Sequence, residues 1–548
     1  MIKKILEEIE NQKMTISQWV LGFSGILFVR FLFESLSSPT STGIIPSDPY
    51  TLVHYGLFFL SIILVTACII GFITKNYEAG VKVILFGLPV IWLAPIIDIL
   101  LSRGLGYKMT YIFDTHGKLL FDFLTFFGSN LTHGATYGIR VEIILILAGV
   151  GWYLWLKTKN ISKTLLGVIA TYVLGFVMAS LPGILYTFSH FHAGTTIDVL
   201  KFFENTVNGS NIFHNTLHDG NLSVSASRFF ELGFDKLMSQ ILFIISFFFG
   251  ALLLWKIDSK KFRAVIGNIR LERISSYIVL LLCGAGFAYI NRLSGELIWA
   301  DLLGLLCLII SWVSLWMQAV HTNDVSDVKI DEISNTDRPL IKKELNENDM
   351  RQTGFLWLAI ALLGSWSAGF YPFFMALVFV ATSYIYSSYP LRLRRFPIIP
   401  SFLIGVASLA TILAGFFFIS AHKEIGNFPM LLAVGIVIMV TLAINVKDMR
   451  DIEGDRADGI LTLPVLFGQN GAKIVGLCLA LSFLLVPIFL SFYALYIFSI
   501  PAAIIGYKLV TKKPYTEKPL FILRFVFLAC VAFSYLGVYW LAHLYGVI

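Results

Sequence analysis

Charged residues are scarce in this chain, at 14% of 548 residues, whereas a soluble domain usually has about 25%. This deficit argues against an ordinary soluble protein. Short segments of alternating polar and apolar residues, which are typical of a membrane β-barrel, are also missing. Apolar runs of about eighteen or more residues occur instead from one end to the other, and each is long enough to cross a bilayer. The composition therefore predicts an all-α polytopic membrane protein.

Cysteine pairs are another absence. The five cysteines, Cys68, Cys283, Cys307, Cys478 and Cys530, all lie within apolar runs and none forms a CxxC pair. This pattern argues against a disulfide framework or a cysteine metal site. The net charge is +7, but the basic residues lie mostly in loops, where they set membrane topology. We therefore expect no nucleic-acid partner.

The apolar runs give about fifteen candidate transmembrane helices by the twenty-residue criterion. Six precede the basic segment 256–273, at 16–35, 51–74, 79–102, 139–156, 163–189 and 237–256. Nine follow it, at 274–292, 297–320, 352–369, 371–388, 398–420, 429–447, 472–490, 491–510 and 519–543. The long polar loops change sides at the basic segment. We therefore predict a six-span module of unknown role at 1–260 and a second module at 270–548.

Loop charges predict the orientation. Segments such as 157–163, 392–395 and 508–518 are basic and fall on one side, whereas the opposite loops, among them 35–50 and 367–372, have almost no lysine or arginine. The positive-inside rule then places the N-terminus inside and the C-terminus outside. It also predicts that 321–350 and 447–470 are cytoplasmic, in what we expect to be the plasma membrane of a prokaryote.

Two acidic segments stand at the predicted cytoplasmic ends of apolar spans. Asp324, Asp327 and Asp331 follow Asn323 with spacing i, i+3 and i+7, which would place them on one face of a continuing helix. Asp448, Asp451 and Asp455 repeat this spacing. Clustered carboxylates repel one another unless a cation is present, and Mg²⁺ is commonly held by carboxylates together with substrate phosphates.

The pattern therefore predicts two Mg²⁺ ions bridging a diphosphate between the segments. Two solvated loops are the plain alternative. A CDP-alcohol phosphotransferase motif begins to match at Asp455, Asp458 and Gly459, but Thr462 and Leu463 stand where that motif needs Ala-Arg.

The sequence resembles the UbiA family of intramembrane prenyltransferases. "NDVSDVKID" and "DMRDIEGD" fit the two aspartate motifs of that family, and "YIYSSYPLRLRR" at 384–395 is similar to its tyrosine-basic loop. The resemblance covers about 270–545, and the nine spans found there agree with a UbiA-type nine-helix bundle. The N-terminal half is not covered. In the central Y-x-x-x-K motif, Tyr386 and Tyr389 both compete for the tyrosine, and arginine stands where lysine is usual.

The resemblance implies roles for individual residues. The Mg²⁺ ligands would be Asn323, Asp324, Asp327, Asp331, Asp448, Asp451 and Asp455, of which Asp327, Asp331, Asp451 and Asp455 would be catalytic. Diphosphate contacts would come from Arg338, Tyr386, Tyr389, Arg392, Arg394, Lys447 and Arg450. The activity implied is Mg²⁺-dependent transfer of a prenyl group from a polyprenyl diphosphate to a lipophilic acceptor within the membrane lipid.

Two alternatives remain open from the residues alone. One is transfer of another diphosphate-activated group, such as a phosphoribosyl group, to a polyprenyl phosphate. The other is a lipid or ion transporter whose carboxylates coordinate ions. The sequence does not identify the acceptor or the length of the prenyl chain.

Overall fold

A computed structural model describes residues 2–37, 49–102, 110–128, 135–189, 196–210, 226–291, 296–420 and 425–544. For residues 2, 116, 196–198, 226–231, 425 and 539–544 it describes the backbone alone. Every regular element in the described ranges is a helix. Such an outcome is expected in lipid, because a helix satisfies its own backbone hydrogen bonds. The prediction of an all-α polytopic membrane protein is confirmed.

The chain divides into two compact units. Unit 1 contains Met1–Phe262 together with Ile298–Leu303, and unit 2 contains Arg263–Leu297 together with Gly304–Ile548. The different roles that the sequence suggests for the two halves stay predictions.

Unit 1 is built from eleven helices within the described residues. They are α1 (Ile2–Asn11), α2 (Ile16–Ser37), α3 (Pro49–Thr74), α4 (Tyr77–Gly87), α5 (Leu93–Leu101), α6 (His116–Leu124), α7 (Tyr137–Thr158), α8 (Ile161–Ala179), α9 (Leu181–Ser189), α10 (Thr196–Gly209) and α11 (Ala226–Ile257). A short 3₁₀ helix, Leu88–Trp92, joins α4 to α5.

The remaining helices belong mainly to unit 2. They are α12 (Ser259–Gly267), α13 (Leu271–Ile290), α14 (Trp299–Ser326), α15 (Val328–Ser334), α16 (Glu347–Ala368), α17 (Phe370–Ser387), α18 (Ile399–Ile419), α19 (Met430–Ala443), α20 (Ile452–Ala457), α21 (Leu463–Phe467), α22 (Gly471–Phe489), α23 (Tyr496–Thr511) and α24 (Lys518–Leu544). Two of them, α12 and α14, begin with residues assigned to unit 1.

Fourteen helical segments of the described chain are long and apolar enough to cross a membrane. The fifteenth segment expected from the sequence, 352–369, is also helical, since all but its last residue lies in α16, but it is not among the fourteen. Its first turn carries Glu347 and Asp349 and is capped by Asn346, so the helix is more polar at its start. The number of crossings stays a prediction.

Close helix packing in unit 2 depends on small residues. A Cβ atom at Gly284 of α13 would lie 1.9 Å from the carbonyl oxygen of Ile412, and one at Gly415 of α18 would lie 1.9 Å from that of Leu281. Only glycine allows the two backbones to approach this closely, as is common between membrane helices. Helix α18 is buried along most of its length and forms the centre of unit 2.

A third glycine brings the two acidic segments together. A Cβ atom at Gly454 in α20 would lie 2.6 Å from the hydroxyl oxygen of Ser334 and 2.8 Å from a methyl carbon of Ile330. Both contacted residues lie in α15, directly after the first aspartate segment. Helices α15 and α20 therefore pack against each other, and each follows a run of aspartates.

Candidate functional site

The first aspartate segment differs from the single helix that the spacing predicts. Helix α14 ends at Ser326, and α15 begins after Asp327, whose backbone has φ −112° and ψ 19°. Aspartate side chains favour such boundaries over helix interiors. The expectation of one unbroken helix face through Asp331 is wrong, because the backbone kinks at Asp327.

The second aspartate segment has the same form. A 3₁₀ helix, Ile444–Met449, follows α19 and contains Asp448. Asp451 then precedes α20 with φ −101° and ψ 10°, and Asp455 lies within α20. The middle aspartate of each segment therefore occupies the same backbone position before a short helix.

Two side chains join the segments directly. The Nδ2 group of Asn335 donates to Oδ1 of Asp331 at 2.9 Å and to Oδ1 of Asp451 at 3.2 Å. The guanidinium of Arg394 pairs with Asp327 through one terminal nitrogen and with Oδ1 of Asp455, at 3.3 Å, through the other. The two aspartate segments thus meet within hydrogen-bonding reach of shared partners.

Asp324 is held by three donors. Its Oδ1 atom lies 2.5 Å from Nη2 of Arg270 and 2.9 Å from Nη1 of Arg338, and its Oδ2 atom accepts from Nδ2 of Asn268 at 2.8 Å. The carboxylate is 1% exposed, so both guanidinium groups are needed to offset its desolvation. Burial lowers the pKa of Arg270, and the charge of Asp324 opposes this effect.

Two further basic side chains approach the aspartates. Nη2 of Arg392 lies 3.3 Å from Asp327 and 3.0 Å from Asp458. Nζ of Lys447 lies 2.6 Å from Oδ1 of Asp448 and donates to the Tyr386 hydroxyl at 3.1 Å. Cations therefore accompany carboxylates in both segments.

Two carboxyl groups in the site have raised pKa values. Burial and then the charge of Asp324 raise the pKa of Asp331 to about 7. Burial raises the pKa of Asp455 to about 6, and the guanidinium of Arg394 opposes that rise. A divalent cation would favour the charged form of both groups.

The buried polar atoms that lack a partner within the described part of the chain include four close to the aspartate segments. These four are Oδ2 of Asp331, the Nε atoms of Arg392 and Arg394, and Nε2 of His321. The Nδ1 group of His321 donates to the Met317 carbonyl oxygen at 2.7 Å. Buried polar groups normally have partners, so an acceptor and two guanidinium donors remain available here for a polar ligand.

The structure separates the predicted residues by their position. Side-chain contacts place most of the predicted residues in three sets. The first contains Asp324, Arg338, Asp331 and Asp451, with Asn335 joining the last two. The second contains Asp327, Arg392, Arg394 and Asp455, and the third contains Lys447, Asp448 and Tyr386. Asn323 instead accepts from the Ser387 hydroxyl at 3.1 Å. Tyr389 is 63% exposed and accepts from Arg392. Arg450 is exposed, with no ion pair to the described residues.

Sequence reasoning did not single out Arg270, Asn268, Asn335 or Asp458 as site residues. Arg270 and Asn268 lie in a basic segment that the sequence indicates only as a determinant of membrane topology. They contact Asp324, which is more than fifty positions away in sequence. Asn335 carried a weak signal, because it lies one helical turn after Asp331. The contacts of Asn268 and Arg270 with Asp324, and of Asn335 with Asp451, do not follow from local spacing.

Within the described residues, no group of three or more His, Cys, Asp or Glu side chains is arranged to hold a metal ion. The donor set nevertheless fits Mg²⁺, which prefers oxygen ligands and needs only one or two carboxylates besides water and substrate phosphates. The unpartnered Oδ2 atom of Asp331 is one such oxygen.

Comparison with known proteins gives a family match for the C-terminal half. Residues 277–531 match the model of the UbiA prenyltransferase family. This range contains both aspartate segments and the loop that carries Arg392 and Arg394.

Two curated relatives are each similar to about a third of this chain. The digeranylgeranylglyceryl phosphate synthase of Thermococcus kodakarensis is 32% identical over 164 residues, which is 29% of this chain and 55% of that protein. The chloroplastic chlorophyll synthase of Oryza sativa subsp. japonica is 31% identical over 183 residues, 32% of this chain and 46% of that protein. The chain thus spans about half the length of the curated relatives it matches.

Among solved structures, a UbiA homolog from Archaeoglobus fulgidus bound to GPP and Mg²⁺ is 18% identical, with a TM-score of 0.38, covering 49% of this chain and 99% of that one. Together with the sequence motifs, the family match leads to one conclusion: residues 277–531 of this chain are a domain of the UbiA prenyltransferase family.

Proposed function

We propose that this protein transfers a prenyl group from a polyprenyl diphosphate to a lipophilic acceptor in the membrane, with Mg²⁺ as cofactor. One observation carries the proposal, namely that Arg394 and Asn335 each contact both aspartate segments. Paired carboxylate clusters interleaved with guanidinium groups suit a ligand that combines divalent cations with a polyanion. A magnesium-bound diphosphate is such a ligand, and the UbiA domain supports the reaction class.

The proposed Mg²⁺ ligands are the oxygen-bearing side chains of the two segments. They are Asn323, Asp324, Asp327, Asp331, Asp448, Asp451 and Asp455. Two ions bridging the diphosphate would match the two segments, one ion for each. When bound, Mg²⁺ would neutralise the negative charge of the leaving diphosphate.

In this proposal the basic side chains that pair with the aspartates also bind the diphosphate. Arg392 and Arg394 pair with Asp327, and their Nε groups are buried without a partner among the described residues. Diphosphate oxygens would accept from these guanidinium groups, which can donate in a bidentate manner. Arg338 and Lys447 would add positive charge on either side. Such fixed donors stabilise the charge that develops as the leaving group departs.

The reaction itself is an ionisation followed by addition. The allylic carbon–oxygen bond breaks, the diphosphate keeps the electron pair, and an allylic cation remains. The acceptor then supplies an electron pair to the cation, and the new bond forms with loss of a proton from the acceptor. Asp327, Asp331, Asp451 and Asp455 would act by binding the charged end of the donor, and burial would keep water from the cation.

We also propose the orientation that the loop charges predict. The aspartate segments and the N-terminus would face the cytoplasm and the C-terminus would lie outside, in the plasma membrane of a prokaryote. The prenyl chain and the acceptor would reach the site through the membrane lipid. The many apolar helices support a multi-pass integral protein.

A labelled-substrate experiment tests the proposal. Membranes containing the full chain would be supplied with radiolabelled geranylgeranyl diphosphate and Mg²⁺, and with the membrane lipids as acceptors. We expect label in the organic phase and equimolar release of diphosphate, both abolished by EDTA. The matched control uses labelled phosphoribosyl diphosphate with a polyprenyl phosphate. Label from that donor instead, or no Mg²⁺-dependent diphosphate release, would overturn the prenyl-transfer proposal.

A further inference from the structure

Unit 1 contains a buried charged cluster that the proposed reaction does not use. Nη2 of Arg30 lies 3.0 Å from Oε2 of Glu34, and Nη1 lies 3.2 Å from Oε2 of Glu142. Nη1 also donates to the carbonyl oxygen of Ile91. All three charged side chains are less than 10% exposed. Two carboxyl groups thus share one guanidinium in an apolar environment, which is costly unless the cluster has a use.

The same cluster borders a cavity of about 400 Å³ within unit 1. Helices α2, α3, α4, α7 and α8 supply most of its walls, and its apolar lining includes Phe58, Phe59, Ile62, Ile63, Ile143 and Ile146. A pocket of this size, mostly apolar with a few convergent polar groups, is typical of a small-molecule site.

The cavity is elongated along α7. Its lining runs from Ile139 to Tyr153 on that helix, a rise of about 21 Å at about 1.5 Å per residue. Glu142 lies near the Ile139 end of this stretch, and Thr110 and Tyr111 also line the cavity. The shape therefore suits a linear apolar chain with a small polar head at the Glu142 end.

The charges at this end select the kind of head group. Among the residues that line the cavity, Arg30 is the only base, and it is already paired with two carboxyl groups and a carbonyl. An anionic head would find no free cation and would meet Glu142. An uncharged hydroxyl can instead donate to the Glu142 carboxyl group, whose ion pair with Arg30 uses Oε2.

We propose that unit 1 binds a long-chain, uncharged lipid alcohol in this cavity, with its hydroxyl hydrogen-bonded to Glu142. The inference rests on the cavity and the Arg30–Glu34–Glu142 cluster and is independent of the proposed transferase activity. An isoprenoid alcohol or phenol and a straight-chain alcohol share this chemistry. The relative potency of geranylgeraniol and hexadecanol as competitors distinguishes these two sources.

Photolabelling of the purified full chain in detergent tests the head group. The probes are a hexadecanol with a mid-chain diazirine and the matching hexadecanoic acid. We expect saturable labelling of peptides from Tyr55–Thr66 and Ile139–Val150 by the alcohol, about tenfold above the acid, as one unfavourable buried contact would produce. Glu142→Gln removes the negative charge and should bring the alcohol-to-acid ratio toward one. Equal labelling of the wild type by both probes would overturn the proposal.

A matched pair of variants tests the location. Ile146→Trp fills the cavity and should reduce alcohol labelling of these peptides about tenfold, whereas Ile144→Trp on the same helix, at a side chain 54% exposed, should leave labelling unchanged. Gel filtration reports folding of both variants.

If Ile146→Trp does not fold, a competition experiment on the wild type tests the location. Displacement of the probe by geranylgeraniol or hexadecanol supports the site, and the relative potency of the two alcohols identifies the source. Labelling that neither alcohol displaces contradicts it.

Discussion

The two aspartate segments have the same backbone conformation but differ in the cations around them. Both kink at the middle aspartate before a short helix. In the first segment, Asp324 and Asp327 are paired with four arginines. In the second, Asp448 pairs with Lys447, and Asp455 shares Arg394 with the first segment. The second segment therefore has fewer cations for the same number of carboxylates.

This difference indicates that the two aspartate segments have different roles. The arginines around the first segment fix the geometry of Asp324 and Asp327 before any ligand arrives, because each of these two buried carboxylates is matched by two guanidinium groups. The second segment keeps more uncompensated negative charge and is the better position for an added cation. The comparison suggests that the first segment contributes more to stability, whereas both contribute to substrate binding.

The largest expected effect is on activity. Asp327→Asn and Asp451→Asn should each lower prenyl transfer by about 10²–10³-fold, because each removes a charged oxygen from one half of the site. Diphosphate release and label incorporation provide the measurement. Asp337→Asn, at a side chain 87% exposed, is the control and should keep normal activity. Loss of activity in Asp327→Asn alone would show that the second segment has no part in the reaction.

The next effect separates the segments by stability. Asp324→Asn leaves Arg270 and Arg338 without their shared anion and should lower the free energy of unfolding by about 3 kcal/mol. Asp448→Asn should cost less, since Lys447 also donates to the Tyr386 hydroxyl. Thermal unfolding of both variants in the same detergent measures the difference. Equal losses would contradict the proposed asymmetry.

A smaller effect concerns the link between the segments. Arg394→Lys keeps the charge but cannot pair with Asp327 and Asp455 through two separate nitrogens of a planar fork. We expect about a tenfold fall in kcat/KM for the donor, or about 1.4 kcal/mol. The neighbouring exposed Arg395 provides the control substitution Arg395→Lys. A wild-type rate in Arg394→Lys would mean that bridging is dispensable.

The smallest effect is a pH dependence of the metal-free protein. The pKa of Asp331 is about 7 in the folded state, against an ordinary value of 3.8, so the folded state binds more protons between these values. Stability should therefore fall as pH rises through this window. In EDTA, we expect a melting temperature about 2 °C higher at pH 5.5 than at pH 7.5. Asp331→Asn should remove this difference.

Saturating Mg²⁺ provides the complementary measurement, because a metal ion binds the deprotonated carboxylate. It should stabilise the protein more at pH 7.5 than at pH 5.5. If Asp331→Asn and the wild type respond to pH identically in EDTA, another group controls the dependence.

Much of the site was accessible from the sequence because its signals are local. Asp324, Asp327 and Asp331 are close in the chain, and so are Asp448, Asp451 and Asp455, so spacing alone indicates each cluster. The kinks were missed because helix periodicity continues a helix through Asp327, whereas the carboxylate there pairs with Arg392 and Arg394. The partners Arg270 and Asn335 were missed because their contacts cross between separate segments.

The amino-acid sequence alone determined that this is a helical membrane protein with two aspartate segments, since bilayer length and residue spacing are properties of the local chain. Tertiary packing alone decided which cation neutralises each carboxylate, and that Arg394 and Asn335 contact both segments. It also produced the cavity beside Arg30 and Glu142 in unit 1. The physical reason is that a contact between helices depends on how closely their backbones approach, as at Gly454. This approach is set by residues distant in sequence, so no periodic pattern in the chain indicates it.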